Sequence, residues 1–367
     1  MRIGVLGAGQ LGRMLALAGH PLGFELVCLD PARDAPAGQV AEHLAAPYDD
    51  ELALARLAAC DVVTYEFESV PVATARELAR TTPVHPSPDA LAIAQDRWTE
   101  KSCFRELGIP TAPFARVDSE DELRAAVDKL GLPAVLKTRR FGYDGKGQSV
   151  LCRDADIASA WRELGRAPLI LEGFVRFQRE LSLLSVRSTT GETAFYPLVE
   201  NEHSHGILRL SRAPARGLTP ALQATAEDYG RRLLDRLGYA GVLALELFEE
   251  GGTLLANEMA PRVHNSGHFS IEGAVTSQFE NHLRAITGLP LGSTALRASA
   301  AMLNFVGAPP EPALVLAVPD AHLHLYGKEP RPGRKLGHAT VLAPDETTRE
   351  TRIASLEKTL AARDESR

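Results

Sequence analysis

Cysteine is scarce in this chain. Four cysteines occur among 367 residues, and they lie far apart with no Cys-x-x-Cys pair. This spacing argues against a disulfide framework or a cysteine-based zinc site and fits reduced, buried thiols. Long apolar runs are also lacking, since no stretch approaches the roughly 20 residues that a membrane-spanning helix needs. The sequence opens on the strand-like run Arg2–Leu6 without the features of a signal peptide, so we expect a cytoplasmic protein with no membrane partner.

An excess of positive charge is lacking as well. The chain carries 40 Lys and Arg against 47 Asp and Glu, which gives a formal net charge of -7. A net negative protein gains little from counterion release on DNA, so we expect no nucleic-acid partner. Apolar residues make up 45% of the chain, enough for a sizeable core, and its length predicts two or three domains.

Strand-like and helix-like segments alternate over the first part of the chain. A buried strand at Ile3–Leu6 leads through a glycine turn into the helical run Leu11–Ala18, and the alternation continues to about residue 80. This order predicts an α/β fold with a doubly wound parallel sheet. A proline-rich turn at residues 83–88 marks a boundary, and we predict one helix from Leu91 to Leu107 after it. From Glu180 onward, alternating segments predict an antiparallel sheet in an α+β body.

The turn Gly7–Gly12 has the G-x-G-x-x-G spacing between a strand and a helix. It presents backbone amides at a helix N-terminus, a place suited to a phosphate of any kind. With Asp30 at the end of the next strand, the turn is typical of an NAD site. Taken alone, the turn makes an NAD-dependent oxidoreductase about as probable as all other functions together. A tight strand–helix turn without a ligand is the other alternative, and the signals below suit a triphosphate and a metal better.

A cation and a glycine-rich loop follow each other in the middle of the chain. Lys137 ends a short apolar strand, and residues 142–148 read Gly-Tyr-Asp-Gly-Lys-Gly-Gln. The glycines let the backbone approach a ligand closely and let the loop close as a lid, while Lys146 adds positive charge. The loop lacks the Gly-Lys-Ser/Thr of a Walker A motif. Taken alone, it would be more typical of a solvated hairpin tip.

Two glutamates lie on neighbouring apolar strands separated by the turn Glu249–Gly252. A hairpin of this kind can place Glu246 and Glu258 side by side, facing one cavity. An unpaired carboxylate would be costly in such strands. Magnesium resolves that cost, because Mg²⁺ prefers one or two carboxylates together with phosphate oxygens. The alternative is that each glutamate pairs with an arginine, with Arg262 as the obvious candidate.

Polar residues are dense where the chain leaves the second of these strands. The segment Asn257–His268 contains Arg, His, Asn and Ser in close succession, which predicts a substrate-contact loop. Together with Gln95-Asp96-Arg97, the glycine loop, and motifs at residues 65–71, 200–208 and 322–335, this segment resembles the signatures of the 5-(carboxyamino)imidazole ribonucleotide synthase family of the ATP-grasp superfamily. The motifs extend from Gly7 to about Gly337 in the family's order.

The resemblance implies three parts. They are a Rossmann-like N-terminal domain at residues 1–95, an ATP-grasp domain at 96–295 with a mobile lid at about 113–170, and a small β-rich C-terminal domain at 296–367. It implies the carboxylation of 5-aminoimidazole ribonucleotide with ATP and bicarbonate in purine biosynthesis, with Mg²⁺ or Mn²⁺ bound. It also implies a homodimer and a separate mutase that takes the product onward.

The resemblance also assigns residues to an ATP site and a metal site. For ATP it implies the following set: Arg97, Lys137, Gly142, Tyr143, Asp144, Gly145, Lys146, Gly147, Gln148, Glu172, Gly173, Phe174, Val175, Glu180, His203, Asn257 and Glu258. Within this set, Glu172–Val175 would lie against the adenine and Glu180 against the ribose hydroxyls. Glu246 and Glu258 match the family's metal ligands.

A third set of residues would form the pocket for the ribonucleotide and the carboxylate. It consists of Tyr143, Asp144, Arg262, His264, Asn265, Ser266, Lys328, Arg334 and Lys335. Several cations suit a dianionic phosphate, although the basic run at residues 328–335, taken alone, is more typical of a solvated loop. Asp144, Lys146 and Arg262 are the expected catalytic residues, with Asp144 as the acceptor of the amine proton.

Three other functions remain as alternatives. A formate-dependent glycinamide ribonucleotide transformylase would share the ATP chemistry but use formate in place of bicarbonate. An NAD-dependent oxidoreductase would use the glycine turn. A non-catalytic nucleotide-binding subunit is disfavoured by the presence of both glutamates, Lys137 and the full loop. Ala260 departs from the wider superfamily, which often carries Asn at this position, and leaves a possible third metal contact unassigned.

Overall fold

The structure is a computed structural model that describes residues 1–142 and 145–364, with side chains described as far as residue 360. Tyr143 and Asp144, which the sequence assigns to both the ATP site and the substrate pocket, lie outside the described residues. Every helix in the described part of the chain is too short or too polar to span a bilayer.

The N-terminal region is built on a parallel sheet with the strand order β3-β2-β1-β4. Its elements are β1 Arg2–Leu6, α1 Gln10–Gly19, β2 Glu25–Leu29, β3 Glu42–Leu44, α2 Glu51–Ala58, β4 Val62–Tyr65 and α3 Val72–Leu78. The inner strands read as continuous apolar runs because both faces are covered. This arrangement confirms the predicted parallel α/β unit.

Two helices connect this region to the rest of the chain, α4 Pro88–Ala94 and α5 Arg97–Glu106. The prediction of one helix over residues 91–107 is therefore wrong. The break has a side-chain cause. Asp96 accepts hydrogen bonds from the amides of Trp98 and Thr99 and so caps a new helix. The break leaves Arg97 in the first turn of α5.

The region expected to act as a lid forms a separate antiparallel-paired sheet with the order β5-β8-β6-β7. Its elements are β5 Phe114–Val117, α6 Glu120–Leu130, β6 Ala134–Thr138, β7 Gln148–Leu151, α7 Ile157–Leu164 and β8 Leu169–Gly173. The two helices and the sheet enclose an apolar core of their own, which includes Leu123, Leu136 and Leu171. A unit with a separate core can move as one piece, but its mobility stays a prediction.

The body contains a large antiparallel sheet whose central order is β14-β13-β9-β11-β12, with β10 beside β9. Its elements are β9 Arg179–Arg187, β10 Thr193–Phe195, β11 Val199–Ser204, β12 Ile207–Ala213, α8 Pro220–Arg236, β13 Gly241–Glu250, β14 Thr253–Ala260, α9 Ser270–Gly273 and α10 Gln278–Thr287. Leu11 and Leu15 of α1 pack in the same core as Phe279 and Leu283 of α10. The N-terminal region is thereby fixed against the body.

The C-terminal strands extend the body sheet, which continues as β12-β15-β17-β16. Their elements are β15 Ser299–Val306, α11 Pro312–Leu316, β16 Ala321–Leu325, β17 Lys335–Ala343 and α12 Glu346–Asp364. The small β-rich C-terminal part is therefore present, but its strands share a sheet with the ATP-grasp body. An open edge on β12 explains this, because pairing with β15 satisfies backbone groups that would otherwise lack partners. The link between β16 and β17 lies beside α1.

Candidate active site

Two carboxylates face each other across the hairpin of β13 and β14. Glu246 and Glu258 are direct partners in the strand register, and the register shifts immediately after Glu246. Burial, together with the nearby charge of Glu258, raises the pKa of Glu246 to about 8. Burial opposes ionisation of Glu258 too, but the charge of Arg97 overcomes it and lowers the pKa of that carboxyl below its usual value. The hairpin therefore holds one carboxylate compensated by an arginine and one that lacks such compensation.

The arginine beside this pair is Arg97. Its Nη1 donates to Glu258 Oε2 at 2.7 Å, and its Nη2 donates to the carbonyl oxygen of Gly142 at 3.4 Å. Glu258 does pair with an arginine, as the alternative held, but that arginine is Arg97, and the candidate Arg262 is wrong. Arg262 Nη2 donates instead to Glu68 Oε2 at 2.8 Å, on the side of the N-terminal region. Arg97 thus connects the carboxylate pair to the glycine loop.

Two histidines lie near Glu246. His264 Nε2 lies 3.1 Å from Glu246 Oε1, and its Nδ1 lies 2.9 Å from Ser266 Oγ. Burial, followed by the charges of Arg262 and Lys335, holds the pKa of His264 well below its usual value, so this imidazole is neutral. His203 forms an ion pair with Glu180. Burial alone would lower the pKa of His203, but Glu180 raises it above the ordinary value.

Lys137 lies at the end of β6 and contacts Glu172 on β8. Its Nζ donates to Glu172 Oε2 at 3.0 Å, and Lys101 Nζ lies 3.2 Å from the same oxygen. Burial would raise the pKa of Glu172, but Lys101, then Lys137 and Arg97, lower it to about 2. The charge of Lys137 also helps to lower the pKa of Glu258, after the larger effect of Arg97. Sequence reasoning missed Lys101, although its place four residues after Arg97 puts both cations on one face of α5.

The segment expected to contact adenine follows Glu172 at the end of β8. The amide of Gly173 donates to the carbonyl oxygen of Pro113 at 2.8 Å, and that of Phe174 donates to Pro133 at 3.2 Å. A base edge could use these two amides only after a rearrangement. Nearby, Phe177 and Phe248 stack with ring centroids 4.6 Å apart and an interplanar angle of 8°. Sequence reasoning missed this pair. Phe248 lies opposite Glu180 in the strand register, so the two rings are beside the residue expected to contact the ribose.

The glycine loop touches the body at the turn between β11 and β12. Gly145 has a φ of +76°, and an added Cβ would lie 3.2 Å from the carbonyl oxygen of His205. Gly147 has a φ of +72°, and its Cβ would lie 2.6 Å from Thr138 Oγ1. Both positions favour glycine, because L side chains avoid this backbone region and an added methyl group would crowd these oxygens. Gly145 therefore brings the loop, which continues through Lys146 to Gln148 at the start of β7, against the body.

The glycine turn after β1 is filled by a carboxylate of the protein itself. Glu66 Oε1 accepts a hydrogen bond from the amide of Gly9 at 2.8 Å, and its Oε2 accepts one from Gly12 at 3.2 Å. Asp30 Oδ2 accepts from the amide of Ala8 at 3.1 Å and from the hydroxyl of Tyr48. The amides that would bind a dinucleotide pyrophosphate are thus already satisfied, and Asp30 is not free for a ribose. This geometry disfavours the NAD alternative.

Most of the other residues assigned to the substrate pocket lie near this turn or near His264. Lys328 donates to the side chain of Gln10 at the start of α1, and burial lowers its pKa to about 8. Arg334 Nη1 donates to the carbonyl oxygen of Glu329 at 3.1 Å. Asn265 has both amide atoms buried, and they find no hydrogen-bond partner among the described residues. A buried amide of this kind is expected to meet a ligand.

The carboxylate pair fits a divalent cation that is bound with phosphate. In the described part of the chain, no group of three or more His, Cys, Asp or Glu could hold a metal by itself. Mg²⁺, however, characteristically takes one or two carboxylates and completes its shell with phosphate oxygens and water. The neighbouring Asn257 Oδ1 is buried and has no hydrogen-bond partner among these residues. Donors of this type and number suit Mg²⁺ or Mn²⁺ and do not suit a closed structural zinc site.

Comparison with protein families gives three matches along the chain. Residues 1–95 match the ribonucleotide synthetase preATP-grasp domain, residues 102–279 the ATP-grasp domain, and residues 300–352 the phosphoribosylaminoimidazole carboxylase C-terminal domain. The matched ranges follow the predicted order of the three parts.

Individual relatives cover nearly the whole chain. N5-carboxyaminoimidazole ribonucleotide synthase of Pseudomonas aeruginosa is 58% identical over 363 residues, which are 99% of this chain and 100% of the relative. The crystal structure of N5-carboxyaminoimidazole ribonucleotide synthetase from Thermus thermophilus superposes with a TM-score of 0.94 at 55% identity, covering 98% of each chain. The Aspergillus clavatus synthase, in complex with ADP and 5-aminoimidazole ribonucleotide, gives a TM-score of 0.91 at 35% identity, again over 98% of each chain.

Proposed function

Because the chain belongs to the N5-carboxyaminoimidazole ribonucleotide synthase family, we propose that its carboxylate pair and its buried cations form the ATP and metal site of that reaction. The protein is an ATP-grasp ligase, and it catalyses the ATP-dependent carboxylation of 5-aminoimidazole ribonucleotide in purine biosynthesis. The observation that carries the site assignment is the direct pairing of Glu246 with Glu258, with Arg97 2.7 Å from the latter.

Glu246 and Glu258 are the proposed ligands of Mg²⁺, or of Mn²⁺ in its place. Support comes from the raised pKa of Glu246, which reflects a buried carboxyl without a matching cation. When bound, the metal ion supplies positive charge that offsets the negative charge of the triphosphate. His264, held neutral by its surroundings, lies beside Glu246 and orients that carboxylate.

Arg97 and Lys137 are the proposed cations for the ATP phosphates. Arg97 already bridges Glu258 and the loop carbonyl of Gly142, so it lies where the loop closes over the carboxylate pair. Glycine at positions 145 and 147 lets the loop approach the body without a side-chain clash. Closure over the nucleotide would exclude water from the reacting groups.

The adenine and ribose are proposed to lie beside β8 and β9. The stacked rings of Phe177 and Phe248 offer an apolar surface for a purine, and Glu180 lies opposite Phe248 in the register. Glu180 forms an ion pair with His203, and its carboxylate oxygens can also accept hydrogen bonds from ribose hydroxyls.

The chemical steps that we propose follow from these positions. An oxygen of bicarbonate attacks the γ-phosphorus of ATP, the bond to the bridging oxygen breaks, and ADP leaves carboxyphosphate behind. Arg97 and Lys137 offset the charge that develops on the transferred group. The amine nitrogen of the ribonucleotide then bonds to the carboxyl carbon, phosphate leaves, and the amine loses a proton. Asp144 as acceptor of that proton, with Lys146 nearby, stays a prediction, since Asp144 lies outside the described residues.

The ribonucleotide is proposed to bind between the N-terminal region and the loop after β14. Arg262 joins Glu68 of the N-terminal region to this loop, and Lys328 reaches the helix that starts at the glycine turn. The amide of Asn265, which has no hydrogen-bond partner among the described residues, supports a ligand contact there. Cations in this pocket suit the dianionic phosphate of the substrate. The roles of Ser266, Arg334 and Lys335 in this pocket stay predictions.

The proposed function is tested by measuring ADP release with ATP alone, and then with bicarbonate and the ribonucleotide added separately and together. We expect full turnover with both and carboxylated product in equal amount to ADP. Turnover that requires formate in place of bicarbonate would instead identify a transformylase. Enhanced fluorescence of NADH on mixing with the protein would support the oxidoreductase alternative, and we expect none. The homodimer, the downstream mutase and the cytoplasmic location stay predictions from the family.

A further inference from the structure

Two buried lysines share one oxygen of a buried glutamate. Lys137 Nζ donates to Glu172 Oε2 at 3.0 Å, and Lys101 Nζ lies 3.2 Å from the same atom. The two lysines reach the oxygen from different elements, Lys137 from β6 of the lid sheet and Lys101 from α5. Glu172 therefore connects the lid to the helix that also carries Arg97.

The three side chains differ in how much of each is exposed. The side chain of Lys137 is 13% exposed, whereas those of Lys101 and Glu172 are 1% and 3% exposed. Lys137 is therefore the one of the three that a nucleotide phosphate can reach. Lys101 is buried almost completely, so it is not placed to touch a phosphate.

The contact made by Lys101 also differs in kind. Lys137 forms a hydrogen bond of regular geometry with Glu172, whereas Lys101 Nζ forms none within the described ranges and meets the carboxylate as an ion pair. An ion pair acts through charge and needs little directional precision. Lys101 is therefore suited to act as a counter-ion of Glu172.

Charge balance shows what such a counter-ion achieves. A pair of Lys137 and Glu172 alone would be neutral, and Lys137 could turn towards a phosphate only by leaving a buried carboxylate unpaired. Leaving a buried charge without its partner is strongly unfavourable. With Lys101 present, two positive charges face one negative charge, so the cluster keeps one net positive charge when Lys137 binds phosphate.

We infer that Lys101 is a positioning residue, a permanent counter-ion of Glu172 that leaves the charge of Lys137 available to the ATP phosphates. This inference rests on the proposed role of Lys137 as a phosphate-binding cation. It assigns a function to a residue that touches no substrate, and it explains why one carboxylate has two lysines.

A double-mutant cycle between Lys101 and Glu172 tests the inference. The variants are Lys101→Met, Glu172→Gln and both together, with the KM for ATP, the KM for the ribonucleotide and kcat as readouts. We expect Lys101→Met to raise the KM for ATP about tenfold and to leave the KM for the ribonucleotide unchanged. In the presence of Glu172→Gln, adding Lys101→Met should change the KM for ATP by less than about threefold, because no carboxylate then needs a counter-ion.

A tenfold rise in both backgrounds would overturn the inference, since Lys101 would then act independently of Glu172. The comparison between Glu172→Gln and the double variant decides the question even if Lys101→Met alone does not fold. Lys101→Arg should restore the KM for ATP, because it returns the charge, and failure of this rescue would also count against the inference. Lys129→Met, on the exposed face of α6, is the matched control and should leave all three constants unchanged.

Lys137→Met separates failure of the inference from failure of the proposed function. The proposed function predicts that Lys137→Met raises the KM for ATP at least about tenfold. No effect of this substitution would overturn the phosphate-binding role of Lys137 and the inference with it. A large effect of Lys137→Met with none from Lys101→Met would overturn the inference alone.

Discussion

Glu246 and Glu258 lie directly opposite each other on β13 and β14, yet their pKa values shift in opposite directions. The difference has one main source. Arg97 contacts Glu258 at 2.7 Å, whereas the nearest partner of Glu246 in the described structure is the imidazole of His264 at 3.1 Å, which is neutral. The pair is therefore left with one carboxyl group that a divalent cation would stabilise in its ionised form.

Glu258→Gln should reduce kcat by about 100-fold or more, because it removes a proposed ligand of the divalent cation that offsets the negative charge of the triphosphate. The measurement is ADP release at saturating ATP, bicarbonate and ribonucleotide. Glu250→Gln, in the exposed turn of the same hairpin, is the control and should retain full activity. A Glu258→Gln variant with activity within about threefold of wild type would remove this glutamate from the site.

Glu246→Gln should stabilise the ligand-free protein, and more so as the pH rises. The folded-state pKa of Glu246 is about 8 against an ordinary value of 4.5, so its carboxyl stays protonated in the folded protein where the unfolded chain has ionised. Stability from this group is present below pH 4.5 and is lost as the pH rises to about 8. Thermal unfolding from pH 5 to pH 8 should therefore show a growing advantage of the variant. An advantage that does not change with pH would contradict the shift.

Gly147→Ala should raise the KM for ATP about tenfold, because its Cβ would lie 2.6 Å from Thr138 Oγ1 and would displace the loop. Gly191→Ala is a matched control, since Gly191 also has a positive φ, +92°, but an added Cβ would meet nothing within 4 Å. Both variants carry the backbone cost of about 1 kcal/mol, so their unfolding midpoints should fall similarly. An equal KM in the two variants would show that the loop position does not matter for ATP.

Glu66→Gln should lower the free energy of unfolding by about 1–3 kcal/mol, because an amide has one oxygen to serve the two backbone amides that the carboxylate now serves. Urea denaturation measures the change. Glu25→Gln, on the exposed start of β2, should leave the free energy unchanged. An unchanged stability of Glu66→Gln would mean that the glycine turn holds its shape without this carboxylate.

The sequence predicted the parts of the site that are local in the chain. The hairpin around residues 246–258 was predictable because an apolar strand, a Glu-Glu-Gly-Gly turn and a second apolar strand determine the register within a few residues. The glycine loop and Lys137 were predictable for the same reason. These are short-range patterns, and local sequence is enough to specify them.

Partnerships across long stretches of the chain were not predictable from pattern alone. Glu66 meets Gly9 from 57 positions away, and Arg97 meets Glu258 from 161. The motif spacing of the glycine turn fits an NAD site as well as it fits a turn without a ligand. No residue close to the turn in the sequence shows that Glu66 fills it. The wrong pairing of Arg262 has the same cause, since its partner Glu68 is 194 positions away.

The break between α4 and α5 and the continuous body sheet depend on tertiary contacts. Asp96 caps α5 and also accepts hydrogen bonds from Arg139 at the edge of the lid sheet. Gln95 donates to the carbonyl oxygens of Glu68 and Val70 in the N-terminal region. Gln95 and Asp96 are therefore held by contacts to two different parts of the protein. These contacts outweigh the helical pattern, which looked uninterrupted in the sequence.

The most direct test of the carboxylate pair is the binding of Mn²⁺ in the presence of ADP, followed by electron paramagnetic resonance of the free ion. The double variant Glu246→Gln/Glu258→Gln should bind Mn²⁺ at least about 100-fold more weakly than the wild type while it remains folded. Glu163→Gln/Glu357→Gln, at exposed positions of α7 and α12, is the control and should bind Mn²⁺ as the wild type does. Equal affinity of the Glu246/Glu258 double variant and the wild type would show that the carboxylate pair does not bind the metal.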